Sequence, residues 1–531
     1  MNRRELIQLA ATAAGLQAIS HKAYSQTVFT SNPFRLGIAS GAPTPDGMVL
    51  WTKLISDGLF GFGHQPIDVT WQVAYDEKFE RIALQGTSTA LPQLGHAVHA
   101  ELRGLQAGRW YFYRFIVGSG ENQRGGAQIS DVGRTRTAPA LGSKVDKLRF
   151  AFASCQRWEH GYYSAYRQMV ADNPDLIVFL GDYIYEYASP KILPPSFVRG
   201  HNLRKAVTLA DYRDRYALHK SDPLLQAAHR ACPWIVTWDD HEVQNDYAND
   251  QSEGLTPQAD FLNQRAAAYQ AFYEHMPLPA SALVRGLAGL SDSGQNDGVR
   301  VTQRLAWGDL ANFHLLDCRQ YRDYQVCPRP NRGGSTMVKA SECPELQNPN
   351  RSMLGKPQEA WLTEGLALDA KQDMAGRPWS VIAQSTLLAQ INQPKDPRIW
   401  TDGWAGYPFA RQRLLESLQA RPNLHPVILS GDVHLNVVAN VENLATEFCG
   451  TSLTSQTGWH PEREPLFYQD NPSINYFNSE KRGYALAEVT PKLWTTTLMG
   501  VEDVRSENSA TTPIAKFAVE RGNKAPQRVP V

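Results

Sequence analysis

Apolar and polar positions alternate with a period of two early in the chain. Val69, Trp71, Val73 and Tyr75 are separated by Thr70, Gln72 and Ala74, the pattern of a half-buried strand. Trp110 to Val117 is a second strand-like run, entered through a turn at Gln106-Ala107-Gly108. Residues 27–138 therefore read as an all-β domain, a small sandwich of immunoglobulin or fibronectin type. A linker from Arg134 leads to about Lys147, and the texture then changes. Short continuous apolar runs alternate with helix-like stretches such as Ala266 to Glu274 and Ala360 to Leu368. Continuous runs suit strands buried on both faces, so residues 147–505 read as an α/β domain. Tyr324 to Gly355 is long, proline-rich and irregular, which predicts an extended surface loop. Residues 506–531 are polar with scattered prolines and read as a C-terminal tail or a lid.

The opening of the chain looks like an address. Arg3-Arg4 precede an uncharged run from Leu6 to Ile19, and Ala23-Tyr24-Ser25 forms a small-residue exit. Residues 1–26 thus read as a twin-arginine signal peptide. As a helix the run would span only about 21 Å, short of the roughly 30 Å of hydrocarbon in a bilayer. The expected location is periplasmic or secreted, with the twin-arginine export machinery as a partner. The 531 residues leave room for two or three domains. Lys plus Arg and Asp plus Glu are both 53, so no basic excess marks a nucleic-acid-binding surface.

The candidate chemistry sits where apolar runs end. The run from Leu148 is followed by Cys155, and the run from Leu176 by Asp182 and Tyr185. The run from Trp234 leads into Asp239-Asp240-His241-Glu242, with Asn245 and Asp246 just beyond, and the run from Val427 into Asp432-Val433-His434. In open α/β sheets, ligands bind beyond the carboxyl ends of the strands. If these strands are neighbours, one Cys, one Tyr, several Asp and two His converge, and that many anionic groups repel unless cations separate them. Thiolate, phenolate, carboxylate and imidazole together suit a transition metal, phenolate especially ferric iron. Asp239, Asp240, Asn245, Asp246 and Asp432 offer oxygen only, which suits Ca²⁺, Mg²⁺ or Mn²⁺. Two metals roughly 3.5–4 Å apart hold a bridging hydroxide and clamp an in-line displacement at phosphorus. No G-x-S-x-G elbow and no P-loop occurs in the chain.

These motifs resemble those of the PhoD-like alkaline phosphatases. The resemblance rests on Gly181-Asp182-Tyr183-Ile184-Tyr185, Trp238-Asp239-Asp240-His241-Glu242, Gly431-Asp432-Val433-His434 and Phe152-Ala153-Ser154-Cys155-Gln156. Arg265 with Tyr269 to Pro277, Met353-Leu354-Gly355, and Gly406-Tyr407-Pro408 followed by Arg411 and Arg413 extend it over nearly the whole chain. It implies a metallophosphoesterase-type β-sandwich flanked by helices, preceded by the small all-β domain. It also implies an exported hydrolase of phosphomonoesters and phosphodiesters, acting on a phosphate ester with one Fe³⁺ and two or more Ca²⁺; a monomer is expected. Carried over by motif, Cys155, Asp182, Tyr185 and His434 would hold iron. Asp182 would bridge to calcium, and Asp239, Asp246 and Asp432 would complete the calcium sites. Asp240 is the alternative to Asp239, and Asn245 the alternative to Asp246. Arg265 is the candidate grip on substrate phosphate, because a planar guanidinium matches two phosphate oxygens. His241 is the candidate proton donor to the leaving group. Purple acid phosphatases share Gly-Asp-x-x-Tyr, but their later motifs are Gly-Asn-His-Glu and Gly-His-x-His. Here carboxylates replace those nitrogen ligands, which favours a harder second metal.

Six cysteines remain to be placed: 155, 232, 318, 327, 343 and 449. Cys327 and Cys343 lie in the irregular loop, which has little else to order it, and form the expected disulfide. Cys155 must stay unpaired to serve as a thiolate ligand. Two other readings stand beside the phosphatase. One is a phospholipase-D-like phosphodiesterase on the same core. The other is a calcium-stabilised exported binding module without catalysis.

Overall fold

The computed structural model describes residues 29, 31–56, 61–118, 126–283, 299–371, 378–391, 398–459, 461–463, 468 and 470–531. The expected signal peptide, residues 1–26, lies outside the described residues. The chain is mixed α/β, with several sheets and few helices. Among the described residues no helix is long and apolar enough to cross a membrane.

The chain divides into two compact units. The first comprises Met1–Ala138, Tyr216–Trp234 and Ala266–Arg300. Its strands Ile67–Ala74, Ile82–Ala90, Trp110–Val117, Gln128–Ile129 and Gly133–Arg136 form one antiparallel sheet. Along Trp110–Val117 every second side chain is buried, so Tyr111, Tyr113, Phe115 and Val117 face inward. That is the period of two seen in the sequence. Ile38–Thr44, Gly47–Lys53 and Ala97–Glu101 also pair antiparallel, and Ile38, Leu50 and Val98 share a core with Val69, Val73 and Phe115. Two later segments, expected within the catalytic domain, group here instead. The cause is local: helix Pro223–Ala231 packs against Ile38–Thr44 and Gly133–Arg136 and buries Leu225 and Ala228.

The second unit comprises Pro139–Arg215, Ile235–Arg265 and Val301–Val531. In one sheet Leu148–Ala153 runs parallel to Leu176–Leu180, with Trp234–Thr237 next in order. In the other, Ala311–Leu315, Trp379–Ala383, His425–Ser430 and Ala445–Cys449 run parallel in that order. Leu176–Leu180, Trp379–Ala383 and Ala445–Cys449 are buried at every position, which is why they read as continuous apolar runs. The sheets meet through aromatic rings: Phe150 lies edge-on to Phe313 at 5.3 Å between centroids, and Trp494 lies 5.8 Å from Trp379. Helix Pro408–Gln419 starts on a proline at its first position and turns Ala410, Leu414, Leu415 and Leu418 onto a core containing Ile382 and Ile428.

The expected C-terminal tail or lid is not what residues 511–529 form. Thr511–Glu520 pairs antiparallel with Leu493–Val501, and Gln527–Val529 pairs with Thr511–Glu520 in turn. Ala515, Phe517 and Val519 point inward with a period of two, so the segment has an apolar face to bury. The loop from Tyr324 to Gly355 carries the Cys327–Cys343 disulfide, and its strand Met337–Lys339 pairs with Arg398–Trp400.

Candidate metal centre

Every sequence-derived candidate lies in the second unit. Cys155 follows Leu148–Ala153, Asp182 follows Leu176–Leu180, Asp239 follows Trp234–Thr237 and Asp432 follows His425–Ser430. Hydrogen bonds between loops tie these tips together. Cys155 N donates to Gly181 O at 3.1 Å, Gln156 N to Asp182 O at 3.0 Å, and Gly431 N to Ser385 O at 3.0 Å. Gly181 has φ +95°, and a Cβ there would stand 2.6 Å from the Asp239 backbone nitrogen, so glycine permits the close approach of two tips. Cys155, Asp182, Asp246, Asp432 and His434 all have φ between 53° and 67°. Such left-handed backbone costs of order 1–3 kcal/mol per non-glycine residue and persists only where the surroundings hold it.

Three groups of donor atoms abut, each with its atoms within 4.8 Å of one another: Cys155, Asp182 and His434; Asp182, Asp240 and His241; Asp239, Asp240 and Asp432. Asp182 belongs to the first two groups and Asp240 to the last two. Tyr185 joins the first: its Oη donates to Asp182 Oδ2 at 2.7 Å and lies 3.2 Å from His434 Nε2. His434 Nδ1 donates to the Gln456 carbonyl at 2.7 Å, which leaves Nε2 as the nitrogen with a free lone pair. Burial, with Arg482 and His241 nearby, lowers the His434 pKa to about 3, so the ring is neutral and fit to ligate.

The electrostatics call for cations. Burial raises the pKa of Asp182 well above the usual carboxylate range, and Asp240 and Asp239 add to the rise. Burial and Asp239 do the same to Asp432. Burial and the Asp182 carboxylate push the Cys155 thiol and the Tyr185 phenol well up. Asp240 is the exception: burial opposes its charge, but Arg319 and His241 outweigh it and hold the carboxylate ionised. Asp182 Oδ1 and Asp240 Oδ1 are buried with no hydrogen-bond partner among the described residues. Buried oxygens of this kind are normally satisfied, and a cation between these groups would satisfy both. The donors present, one thiol, one phenol, imidazoles and clustered carboxylates, fit a softer or ferric ion beside harder divalent ions.

Three candidates stand at the edge of this arrangement or outside it. Asp246 Oδ2 accepts from Ser335 N at 2.9 Å, and the Asp246 backbone N–H donates to Asp240 Oδ2 at 2.6 Å. The Asn245 side-chain amide donates to Glu253 at 3.1 Å. Arg265 is buried, and its Nη1 donates to the Asn249 carbonyl at 2.6 Å and to Asn249 Oδ1 at 3.3 Å. That places the arginine as a brace on the loop after Asp246.

Several residues of the centre were given no role from sequence. Arg319 is fully buried: its Nε donates to Asp239 Oδ1 at 2.6 Å and its Nη1 to Asp402 Oδ1 at 3.0 Å. The carboxylate of Glu242 accepts from the backbone N–H groups of Asp182, Tyr183 and Asp239 at 3.1, 2.6 and 2.8 Å, and so locks two tips together. Glu186 holds His241 Nδ1 at 2.8 Å, and the imidazole packs on Tyr185 with centroids 4.1 Å apart. Ser455 donates to Tyr185 Oη at 2.7 Å, and Thr386 to Asp432 Oδ2 at 3.0 Å. Arg319 follows the strand Ala311–Leu315, so the rule that found Asp182 also points to it.

Known proteins carry the same arrangement of chain. Residues 150–498 match the family model for PhoD-like phosphatase, and residues 19–139 match that for the PhoD-like phosphatase N-terminal domain. Alkaline phosphatase D of Bacillus subtilis (strain 168) is 39% identical over 552 residues, covering 99% of this chain and 89% of that protein. A solved structure described as the structure of PhoD superposes with a TM-score of 0.84 at 38% identity, covering 95% of this chain and 93% of that one. Fold, site and sequence agree, and the chain belongs to the PhoD-like phosphatase family.

Proposed function

We propose that the protein is an exported, metal-dependent alkaline phosphatase that hydrolyses phosphomonoesters and phosphodiesters. The observation that carries the reading is the run of three abutting donor groups sharing Asp182 and Asp240. A non-catalytic calcium-binding module has no use for a thiol, a phenol and two imidazoles in one acidic centre, and family membership speaks for an enzyme. Cys155, Asp182, Tyr185 and His434 would hold Fe³⁺, and Asp182, Asp239, Asp240, Asp246 and Asp432 two or more Ca²⁺. Bound there, these ions supply water activation and offset the charge that gathers on the phosphoryl oxygens.

The chain's own groups supply the rest. Burial works against a charge on His241, whereas Asp240, Asp182 and Glu186 favour it and raise its pKa. With Nδ1 held by Glu186, Nε2 is the atom that donates a proton to the leaving-group oxygen. Glu242 and Ser455 keep the tips and the Tyr185 hydroxyl in register before substrate arrives. Arg265 steadies the Asn249 loop through Nη1. Arg3-Arg4 and the uncharged run behind them support twin-arginine export to the periplasm or beyond, and a monomer suffices because one unit holds the whole site. The two sheets of the second unit are read as the metallophosphoesterase sandwich, and the first unit as an immunoglobulin-like module.

Elemental analysis of mature protein purified without chelators tests the reading. About one iron and at least two calcium per chain are expected, and Asp182→Ala should lose iron, calcium and hydrolysis together. Zinc or manganese without iron would remove Cys155 and Tyr185 from these roles. Unchanged hydrolysis by Asp182→Ala would refute the mechanism.

A further inference from the structure

Beside the centre lies a cavity of about 440 Å³ that none of the chemistry above uses. Asp432 and His434 stand in its wall, and among the described residues they are its only ionisable lining. The remainder is mainly apolar: Trp400, Trp404, Trp459, Leu387, Ile391 and Met337 contribute to it. The wall is built to hold its shape. Trp404 Nε1 donates to Gln384 Oε1 at 2.9 Å, and Trp459 lies edge-on to Phe477 at 5.7 Å. The buried carboxylate of Glu447 accepts from Leu388 N at 2.8 Å and Ala389 N at 2.7 Å, fixing the loop that presents Leu387. The same loop donates from Thr386 to Asp432, so pocket and centre are mechanically one piece.

We infer that this cavity seats the apolar alcohol portion, an alkyl chain or an aryl ring, of the phosphate ester being cleaved. The inference rests on the function proposed above and deepens it. Phosphorus belongs beside Asp432 and His434, so an ester group leaving toward the cavity meets indole and aliphatic carbon. Among the described residues, a sugar, choline or second phosphate there would find no charged lining other than the two residues of the centre itself. A pre-formed cavity of this size with indole and aliphatic side chains in its wall matches a chain of several carbons or a fused ring. Each methylene taken from water should strengthen productive binding by about threefold to fourfold until the cavity is full.

The test uses metal-loaded protein and the n-alkyl monophosphates from ethyl to octyl, read by release of inorganic phosphate. The leaving alcohols have nearly the same acidity, so a trend with length reports the pocket. kcat/KM should climb about threefold per methylene from ethyl to hexyl and then level off. In Trp459→Ala and Trp400→Ala the hexyl-to-ethyl ratio should fall at least tenfold, and in Trp459→Leu by less. A ratio within one variant is insensitive to the fraction correctly folded. The non-hydrolysable ethyl and hexyl phosphonates, titrated by tryptophan fluorescence, give a second readout. Hydrolysis with no length dependence in either readout overturns the pocket and leaves the phosphatase reading standing. Tight hexylphosphonate binding without hydrolysis does the reverse. An unchanged ratio in both alanine variants overturns the pocket, and so does absence of both hydrolysis and binding.

Discussion

Asp246 offers the clearest test of how the acidic centre is held. Burial raises its carboxyl pKa, with Asp402 and Asp240 adding to the rise, from 3.8 to about 7, while Ser335 and Arg319 act in the other direction. Asp246→Asn keeps the shape and an oxygen able to accept from Ser335 but removes the titration. The sign follows from linkage. For a carboxyl raised in the folded state, the unfolded chain ionises first, at about pH 4, and the folded state resists until about pH 7. The wild-type group therefore carries no penalty below about pH 4. Its contribution to stability is lost progressively through that window, and the loss is complete above pH 7. The rise corresponds to about 4 kcal/mol. In chelator-treated protein, Asp246→Asn should be more stable than wild type at pH 8.5 by up to about 4 kcal/mol, and equal to it near pH 4. Urea denaturation followed by fluorescence at the two pH values measures this directly. Using the difference between two proteins cancels other titrating groups, such as His434, whose depressed pKa acts the opposite way in the same window. Added Ca²⁺ should reverse the order at pH 8.5, because ligand binding stabilises the folded state and the carboxylate is the better ligand. If metal-free Asp246→Asn is no more stable than wild type at pH 8.5, the protein itself compensates the charge and the case for a cation at Asp246 fails.

Two further substitutions probe the frame around the centre. Glu242→Ala strands three buried backbone N–H groups, each worth about 1–3 kcal/mol. The urea midpoint should therefore fall by the equivalent of roughly 3 kcal/mol or more, and less for Glu242→Gln; a wild-type midpoint would mean that the tips need no lock. Arg319→Met leaves Asp239 without its buried counter-charge and Asp402 with Arg322 alone, a loss of about 3–5 kcal/mol in metal-free protein. Arg319→Lys should recover only part of it because the planar fork is gone. Denaturation of metal-free protein decides this, and full recovery by lysine would show that charge alone matters.

The ligand-bearing strand tips were legible because their strands are buried on both faces. Such strands show as unbroken apolar runs, and the first polar residue beyond each run is exposed to scrutiny by position alone. Asp182, Asp239 and Asp432 are that residue, and Cys155 stands next to Ser154, which is. Arg319 and Thr386 lie a few positions past Ala311–Leu315 and Trp379–Ala383, behind Asp317 and Gln384, and an arginine and a threonine do not read as metal ligands. Asp402 and Glu186 were not legible. They reach the centre from loops with no periodic pattern, and their partners Arg319 and His241 lie 83 and 55 positions away. The C-terminal strand was hidden for another reason. Its apolar stretch from Ile514 to Val519 is short, interrupted by Lys516, and preceded by Thr511, Thr512 and Pro513, so the segment reads as the polar, proline-bearing end of the chain.

What no hydropathy pattern carries is the backbone conformation of the ligands. Five of the candidate ligands sit at positive φ, yet none is a glycine and only Asp belongs to the types that tolerate it readily. The compensation is spread over neighbours. Glu242 clamps the N–H of Asp182, the Gln456 carbonyl fixes the His434 ring, and Ser335 holds Asp246. Gly431 carries no Cβ to collide with Ser154 Oγ, which would be 2.5 Å away. Strain at the ligands and rigidity around them are two aspects of one arrangement, because left-handed residues relax unless their loops are pinned from the side. Loosening one of these pins should therefore alter metal affinity before it alters the fold. The residues that decide affinity then include several that never touch an ion.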